Sequence, residues 1–305
     1  MAPPRRVSTE WSKAYAALTN RVSADFSGNA YSTPTPAQIY HFTDCDGLIG
    51  ILKTKTLWAS LATSLNDRSE MEYGRVLARE VVDAFATKSL DPGRFESAVT
   101  KQTWRVYVVS FCQNADTALH WLHYGRSGSG VAIGFNSSAI QMAPYELCPV
   151  LYNRDRQVQW IESVIETVDQ ALRAALSLTS SSGDRELLSE LAVDLLATNL
   201  WMVTPRMKSG AFAAEQEWRL VTYVPRGTGV PVGHDPSGPT KFRATGSRIV
   251  PYKKVVFGTL PIREIVLGSS SPMQQDPGAL RVLLEECVAD SSEVTVSESK
   301  VLVRL

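Results

Sequence analysis

The 305-residue chain has no charge of one sign to spare: 31 Lys and Arg are matched by 31 Asp and Glu, for a formal net charge of +0. That balance argues against a bulk electrostatic pull toward nucleic acid or an anionic membrane, while leaving room for a local basic groove. Cysteine is scarce as well. Cys45, Cys112, Cys148 and Cys287 lie far apart without paired ligand spacing, which argues against a disulfide scaffold or a structural zinc site and makes them reduced thiols serving as small apolar side chains. No stretch approaches the ~20 apolar residues that span a bilayer. The basic start, Met1 to Arg6, leads into mixed residues rather than an apolar signal core. The reading is a soluble, cytoplasmic protein with no membrane partner, and at 44% hydrophobic residues it can bury a sizeable core.

What is present is organised around Phe212 to Tyr223, where Glu215 and Glu217 stand two apart at the mouth of an expected strand, Trp218 to Val224. In a strand that spacing puts both carboxylates on one side of the pleat, where they repel. For an arbitrary Glu-x-Glu, an exposed strand start neutralised by Arg219 is the commoner arrangement. Here Phe212, Trp218, Leu220, Val221 and Tyr223 surround the pair, and a carboxylate in a partly buried setting needs a reason to be there.

Read in order, residues 9 to 25 form a short amphipathic helix, a leader on the outside of the main fold, followed by a Ser/Thr/Pro-rich connection. Gln38 to Thr43 reads as a strand, Asp44 as the cap of a helix from Asp46 to Lys53, and Thr56 to Ser60 as a second strand. Helices follow over Met71 to Phe85 and Asp91 to Thr103, with Asn66 or Asp67 as the cap of the first. Val106 to Cys112 is the strongest buried-strand signal of the first half and should be central. A short helix, Thr117 to Tyr124, and the strands Val131 to Phe135 and Cys148 to Tyr152 come next. The glycines of Gly125 to Gly130 carry no Walker lysine or dinucleotide fingerprint and read as a turn. Helical periodicity over Gln157 to Leu178 and Arg185 to Met202 marks a pair inserted between strands. Pro225 to Pro239 is a long loop. The end of the chain alternates short strands (Val255 to Phe257, Glu264 to Gly268, Val294, Val301 to Val303) with a helix, Gly278 to Val288. The layout is 1–36 as helix and linker, then one mixed α+β domain over 37–305 with a helical insertion at about 157–204.

Single residues carry little chemistry alone. His41 on a strand is most often a satisfied structural residue. His120 and His123 share a helix face without a third ligand, so packing outweighs metal binding. A Cys112–His120 nucleophile pair lacks any thiol-protease signature, and no Gly-x-Ser-x-Gly elbow occurs.

The ordered set says more: His41-Phe-Thr43, Leu57-Trp-Ala-Ser60, Asn66-Asp-Arg-Ser-Glu70, Ser110-Phe-Cys112, Trp121-Leu-His-Tyr124, Gly130 to Phe135 and Glu215-Gln-Glu-Trp-Arg219. Over residues 38 to 268 it resembles a bacterial domain family of unknown function, and more distantly the ADP-ribosyltransferase superfamily. That resemblance implies a split mixed/antiparallel β-sheet that holds NAD as a substrate. By position, His41 would hold the NAD ribose and diphosphate side with Thr43 beside it, and Ser110 would brace Glu217. Glu217 would stabilise the positive charge as the glycosidic bond opens, and Glu215 would orient or deprotonate an acceptor. Tyr107, Trp121 or Tyr124 would stack on nicotinamide or adenine, although core packing is the more frequent job of large aromatics. Departing nicotinamide leaves an oxocarbenium-like ribose, so a fixed carboxylate acts mainly in the transition state.

The implied function is ADP-ribose transfer to a protein, nucleic acid or small-molecule acceptor, or to water. The rival is a non-catalytic nucleotide- or partner-binding module in bacterial stress or phage defence. A third reading is a hydrolase or nuclease using Asp67, Glu70, Glu215 and Glu217 around a divalent ion. Asn66, Asp67 and Glu70 otherwise serve as helix caps or cleft lining.

Overall fold

The computed structural model describes residues 8–24, 33–65, 69–85, 92–100, 104–141, 144–225 and 237–302. Along the chain these form α1 (Thr9–Ala24), β1 (Gln38–Thr43), α2 (Cys45–Thr54), β2 (Thr56–Leu61), α3 (Ser69–Ala84), α4 (Pro92–Thr100), β3 (Trp104–Cys112) and α5 (Ala118–His123). They continue with β4 (Val131–Asn136), α6 (Ser137–Ile140), β5 (Glu146–Pro149), α7 (Arg154–Leu176), α8 (Ser182–Val203) and β6 (Glu217–Pro225). The chain closes with β7 (Lys241–Thr245), β8 (Arg248–Val256), β9 (Ile262–Leu267), α9 (Pro277–Cys287) and β10 (Thr295–Glu298). Two compact units result: Met1–Ser32 with Ser69–Trp104 and Leu151–Gly210, and Thr33–Arg68 with Arg105–Val150 and Ala211–Leu305.

The first unit is helical and gathers α1, α3, α4, α7 and α8. Its core is built from the apolar stripes that the 3.6-residue period lays down, with Leu18, Ile161, Val168, Leu172, Leu188 and Leu196 fully buried. Gln157 is the polar pin of this core. It is buried, donates to the carbonyls of Leu151 and Lys208, and accepts the Tyr73 hydroxyl at 2.7 Å. Contrary to the expectation that no stretch is long and apolar enough to cross a bilayer, Ser182–Arg206 is. Half of its most apolar stretch is buried within the protein, the place of a core helix.

The second unit carries an open mixed sheet in the order β10-β9-β4-β1-β3-β2-β8-β7, with β6 also beside β3 and β5 beside β6. β10 runs parallel to β9, and the ladders of β1 with β4, β4 with β9, β2 with β8 and β5 with β6 are antiparallel. Val106 to Cys112 is central, as its apolar run predicts, because β3 borders three strands. A strand has two edges, so three partners must divide its length. β1 meets β3 at Tyr40↔Cys112, and β2 meets it at Ser60↔Val108 and Leu61↔Tyr107. The sheet forks there.

One side of the sheet is covered by α2 and α9, whose Leu48, Leu52, Leu280 and Leu284 join Ile39, Tyr107, Phe111, Ile133, Trp218, Leu220 and Ile265 in the main core. α2 starts where Asp44 accepts the Gly47 N–H at 2.8 Å, the cap expected from the sequence. Two elements differ from expectation. Lys241 to Val256 is a hairpin, β7–β8, turning at Gly246 with φ +56°. Val301 and Leu302 lie outside any strand: the Asp116 carboxylate accepts the Ser299 hydroxyl and, at 2.9 Å, the Lys300 N–H, which draws the tail away from strand geometry. Val303, and Asn66 and Asp67 with their expected cap, lie outside the described residues; Glu70 is the second residue of α3.

Candidate functional site

Register assigns each candidate side chain to a face of the forked sheet. Directly paired residues share a face and successive residues alternate. Ser60, Val108, Ser110, Cys112 and Tyr40 therefore share the face away from α2 and α9, together with Phe42. Ile39 and Phe111 belong to the main core on the other face, and alternation starts His41, Thr43 and Tyr107 on that side. On β6, Trp218 and Leu220 belong to the same core, so Glu217 and Arg219 point away from it. The fold thus brings Ser110 and Glu217 to one face and begins His41, Thr43 and Tyr107 on the other.

His41 nevertheless reaches β3. Its Nδ1 lies 2.9 Å from the Ser110 carbonyl oxygen, taking the place of a ladder hydrogen bond where the strands part. A carbonyl only accepts, so Nδ1 carries the proton and Nε2 keeps its lone pair. Burial lowers the His41 pKa, the Ser110 carbonyl raises it, and the Arg243 charge lowers it further; the net shift is downward and the ring is neutral at pH 7. Ser110 thus acts through its carbonyl. Its expected brace to Glu217 is not formed.

Glu217 is held by a residue of its own strand. Arg219 Nε donates to Oε1 at 2.7 Å and Nη2 to Oε2 at 2.9 Å, a fork on a carboxylate that is 8% exposed. Residues i and i+2 of a strand share a face, and the bulky walls of Trp218 and Leu220 lie behind them, so the pair forms locally. Glu215 is not part of the strand as its spacing suggested. It closes a 3-10 turn, Gly210–Glu215, and Gln216 at φ +45° swings the chain into β6. Glu215 is also 8% exposed. Its Oε1 accepts the Tyr124 hydroxyl at 3.3 Å, and its carbonyl accepts His120 Nε2–H at 3.0 Å.

His120 sits in a polar socket with Thr117 on Nδ1, and its ring stacks on Phe42 with centroids 5.3 Å apart. With Nε2 donating to a carbonyl, Nδ1 accepts the Thr117 O–H. The Cys112–His120 nucleophile pair is therefore not made. Burial pushes the Cys112 thiol up to about 12, the Glu217 and Glu215 charges add to this, and its Sγ–H points at the Asn114 carbonyl. His123 is exposed on α5. Among the described residues no group of three or more His, Cys, Asp or Glu side chains is placed to hold a metal ion.

The aromatics divide in the same way. Tyr107 and Trp121 are fully buried, the first with its hydroxyl 3.2 Å from Thr240 Oγ1 and Lys253 over its ring, the second donating to Asp116 at 2.9 Å. Neither presents a ring face for stacking. Tyr124, 43% exposed, does. Thr43 lies over the first turn of α2, where a Cβ on Gly47 would meet its Oγ1 at 1.9 Å. Sequence reading missed Arg243 and named Ser60 only as the end of a motif; both join the Ser110 face: Arg243↔Val250 and Ser60↔Tyr252 fix their side of the sheet, and Arg243 Nη2 donates to Ser60 Oγ at 3.1 Å.

These features define a mixed α/β protein with an open forked sheet and a polar cluster at the fork. A family model described as "Protein of unknown function (DUF2971)" matches residues 120–220, from α5 into β6. No curated protein and no solved structure matches the chain.

Proposed function

We propose that the sheet unit is an NAD-cleaving catalyst of ADP-ribosyltransferase type, working at the end of β3. The supporting observation is that β1 and β6 both border β3, so His41, Ser110 and the Glu215-Gln216-Glu217 segment meet along one strand end. The C1′–N bond to nicotinamide breaks, its electron pair leaves with the ring nitrogen, and the ribose becomes an oxocarbenium-like cation. A buried carboxylate oriented before the reaction stabilises that cation more than it stabilises neutral ribose. Glu215, aimed by Tyr124, takes this role in preference to Glu217, whose two oxygens both face Arg219. Neutral His41 offers a lone pair to a ribose hydroxyl, and Tyr124 offers a ring face. The acceptor of the ADP-ribose is a macromolecule, a small molecule or water.

The test is nicotinamide release from NAD by the purified protein, with and without cell extract, in wild type and Glu215→Gln. That change keeps the hydrogen bond from His120 Nε2 to the residue 215 carbonyl. Release that drops by roughly 100-fold or more in the variant, at unchanged melting temperature, supports the reading. The buried Arg219–Glu217 fork favours a second one, a non-catalytic nucleotide-binding module: saturable NAD binding without any nicotinamide after long incubation would establish it.

A further inference from the structure

Among the arginines of the described residues, Arg75, Arg79, Arg126, Arg154, Arg173, Arg219 and Arg263 each face a carboxylate. Arg248 is held differently, with Nη2 on the carbonyls of Ser64 and Leu65. Arg243 has neither arrangement. It makes no ion pair among the described residues, and its Nε–H is buried without a hydrogen-bond partner. A guanidinium cannot shed its charge at neutral pH, so a buried N–H without an acceptor is a standing cost that a bound anion would relieve.

Among the described residues, two serine hydroxyls share its side of the sheet. Ser60 is buried, and its hydroxyl oxygen accepts from Arg243 Nη2, which leaves the Ser60 O–H to donate outward. The Ser110 hydroxyl shares the face and has no hydrogen-bond partner among the described residues. The guanidinium is fixed by the Trp58 ring, 5.8 Å from its centre, and Trp58 is in turn stacked on Tyr252 at 4.5 Å. An arginine so braced is pre-organised, and its Nε–H with a neighbouring Nη–H matches two oxygens of one tetrahedral anion.

We propose that Arg243, with the Ser60 hydroxyl beside it, is the anion-holding residue of a diphosphate-binding site on the forked face. Only in taking that diphosphate to be the one within NAD does the assignment rest on the reading of the preceding subsection. The Arg243 charge helps to lower the pKa of the neutral His41 ring. Arg243 is a binding residue; the bond that breaks in the proposed reaction lies beyond it.

The test is isothermal titration with inorganic pyrophosphate, ADP and NAD, on wild type, Arg243→Gln and Ser60→Ala. The expected result is that all three ligands bind wild type and weaken roughly ten-fold or more in Arg243→Gln, with a smaller loss in Ser60→Ala. Pyrophosphate and ADP binding that depends on Arg243, without any NAD cleavage, keeps the site and removes the catalytic reading. ADP binding without pyrophosphate binding, or affinities unchanged in Arg243→Gln, overturns the site. Should Arg243→Gln not fold, arginine modification by phenylglyoxal in wild type decides: protection of Arg243 by pyrophosphate, read by peptide mass, supports the site, and no protection overturns it.

Discussion

At Glu217 the substitution that ordinarily tests a carboxylate's chemistry tests the fold instead. Glu217→Gln removes the charge from a fork that is 2% and 8% exposed and breaks the bidentate ion pair of the buried Arg219 guanidinium. The expected loss is about 3–5 kcal/mol, read by urea unfolding, and a stability within about 1 kcal/mol of wild type would mean that the pair is not what holds the start of β6. Replacing both partners, Glu217→Leu with Arg219→Met, should recover much of the loss, because a well-packed apolar pair avoids the desolvation cost. Gly268 poses the opposite problem, one of space. A Cβ there would meet the Gly128 carbonyl oxygen at 2.2 Å, a backbone atom that cannot rotate away, so Gly268→Ala should cost about 1–3 kcal/mol by overpacking. Composition made the burial of Glu217 legible, since Trp218 and Leu220 stand beside it. The choice of Arg219's partner was not legible. It depends on Gln216 adopting φ +45°, which takes Glu215 out of the strand, while Glu217 stays two residues from Arg219 on its face. Arg243 was invisible for a related reason: a charged residue in a Lys-Phe-Arg-Ala-Thr run looks like solvated surface until its hairpin is folded onto β2.

Elements whose ends carry their own chemistry were readable from the sequence. β1 begins and ends where its alternation does, and α2 starts at the Asp44 cap. The β7–β8 hairpin was overlooked because Pro251 and five basic residues interrupt its apolar pattern; its strands are held by the ladder from Lys241↔Tyr252 to Thr245↔Arg248. Pro251 is tolerated in β8 opposite Phe242, although proline gives no N–H to a ladder. The fork itself has no linear signature, since it arises when three distant strands compete for the two edges of β3. α5 shows how one element depends on another far along the chain. Asp116 accepts from the Trp121 indole, the Ser299 hydroxyl and the Lys300 N–H at once, fastening the C-terminal segment to the helix that carries His120 and Tyr124. In Asp116→Ala these three donors lose their acceptor. Proteolysis after Lys300 should become several-fold faster, and the orientation of Tyr124 toward Glu215 should loosen, so that the proposed NAD cleavage falls without a matching change in affinity. Equal cleavage rates in the variant and wild type would show that the Asp116 contacts are not what holds the tail.

For the molecule as a whole, the charge balance that removes any bulk attraction to polyanions also sets its behaviour with pH. The isoelectric point is near 6.9, so solubility is lowest around neutrality and unfolding is best followed in dilute solution. Two separate limbs of acid destabilisation follow from named groups. The Gly47 N–H lowers the Asp44 pKa, with Arg126 helping; at Asp116 burial pushes upward but the Ser299, Trp121 and Lys300 donors outweigh it. Carboxyls with depressed folded pKa values contribute stability above the unfolded value of about 3.9, and it is lost as pH falls through the folded values. His41 works in a different window. Its folded pKa lies below 6.5, chiefly through burial, so between those two values the unfolded chain binds a proton that the folded ring refuses. Stability therefore begins to fall as pH drops below about 6.5 and levels off once the folded ring itself takes the proton. His41→Asn separates the two. Its side-chain N–H can still donate to the Ser110 carbonyl, keeping the closure of the fork, while nothing at that position titrates. The upper limb of the pH–melting-temperature curve should flatten in this variant and the lower one persist. An upper limb of unchanged slope would mean that another group carries it, and that the neutral imidazole at the fork, on which the proposed ribose contact depends, is not enforced by burial.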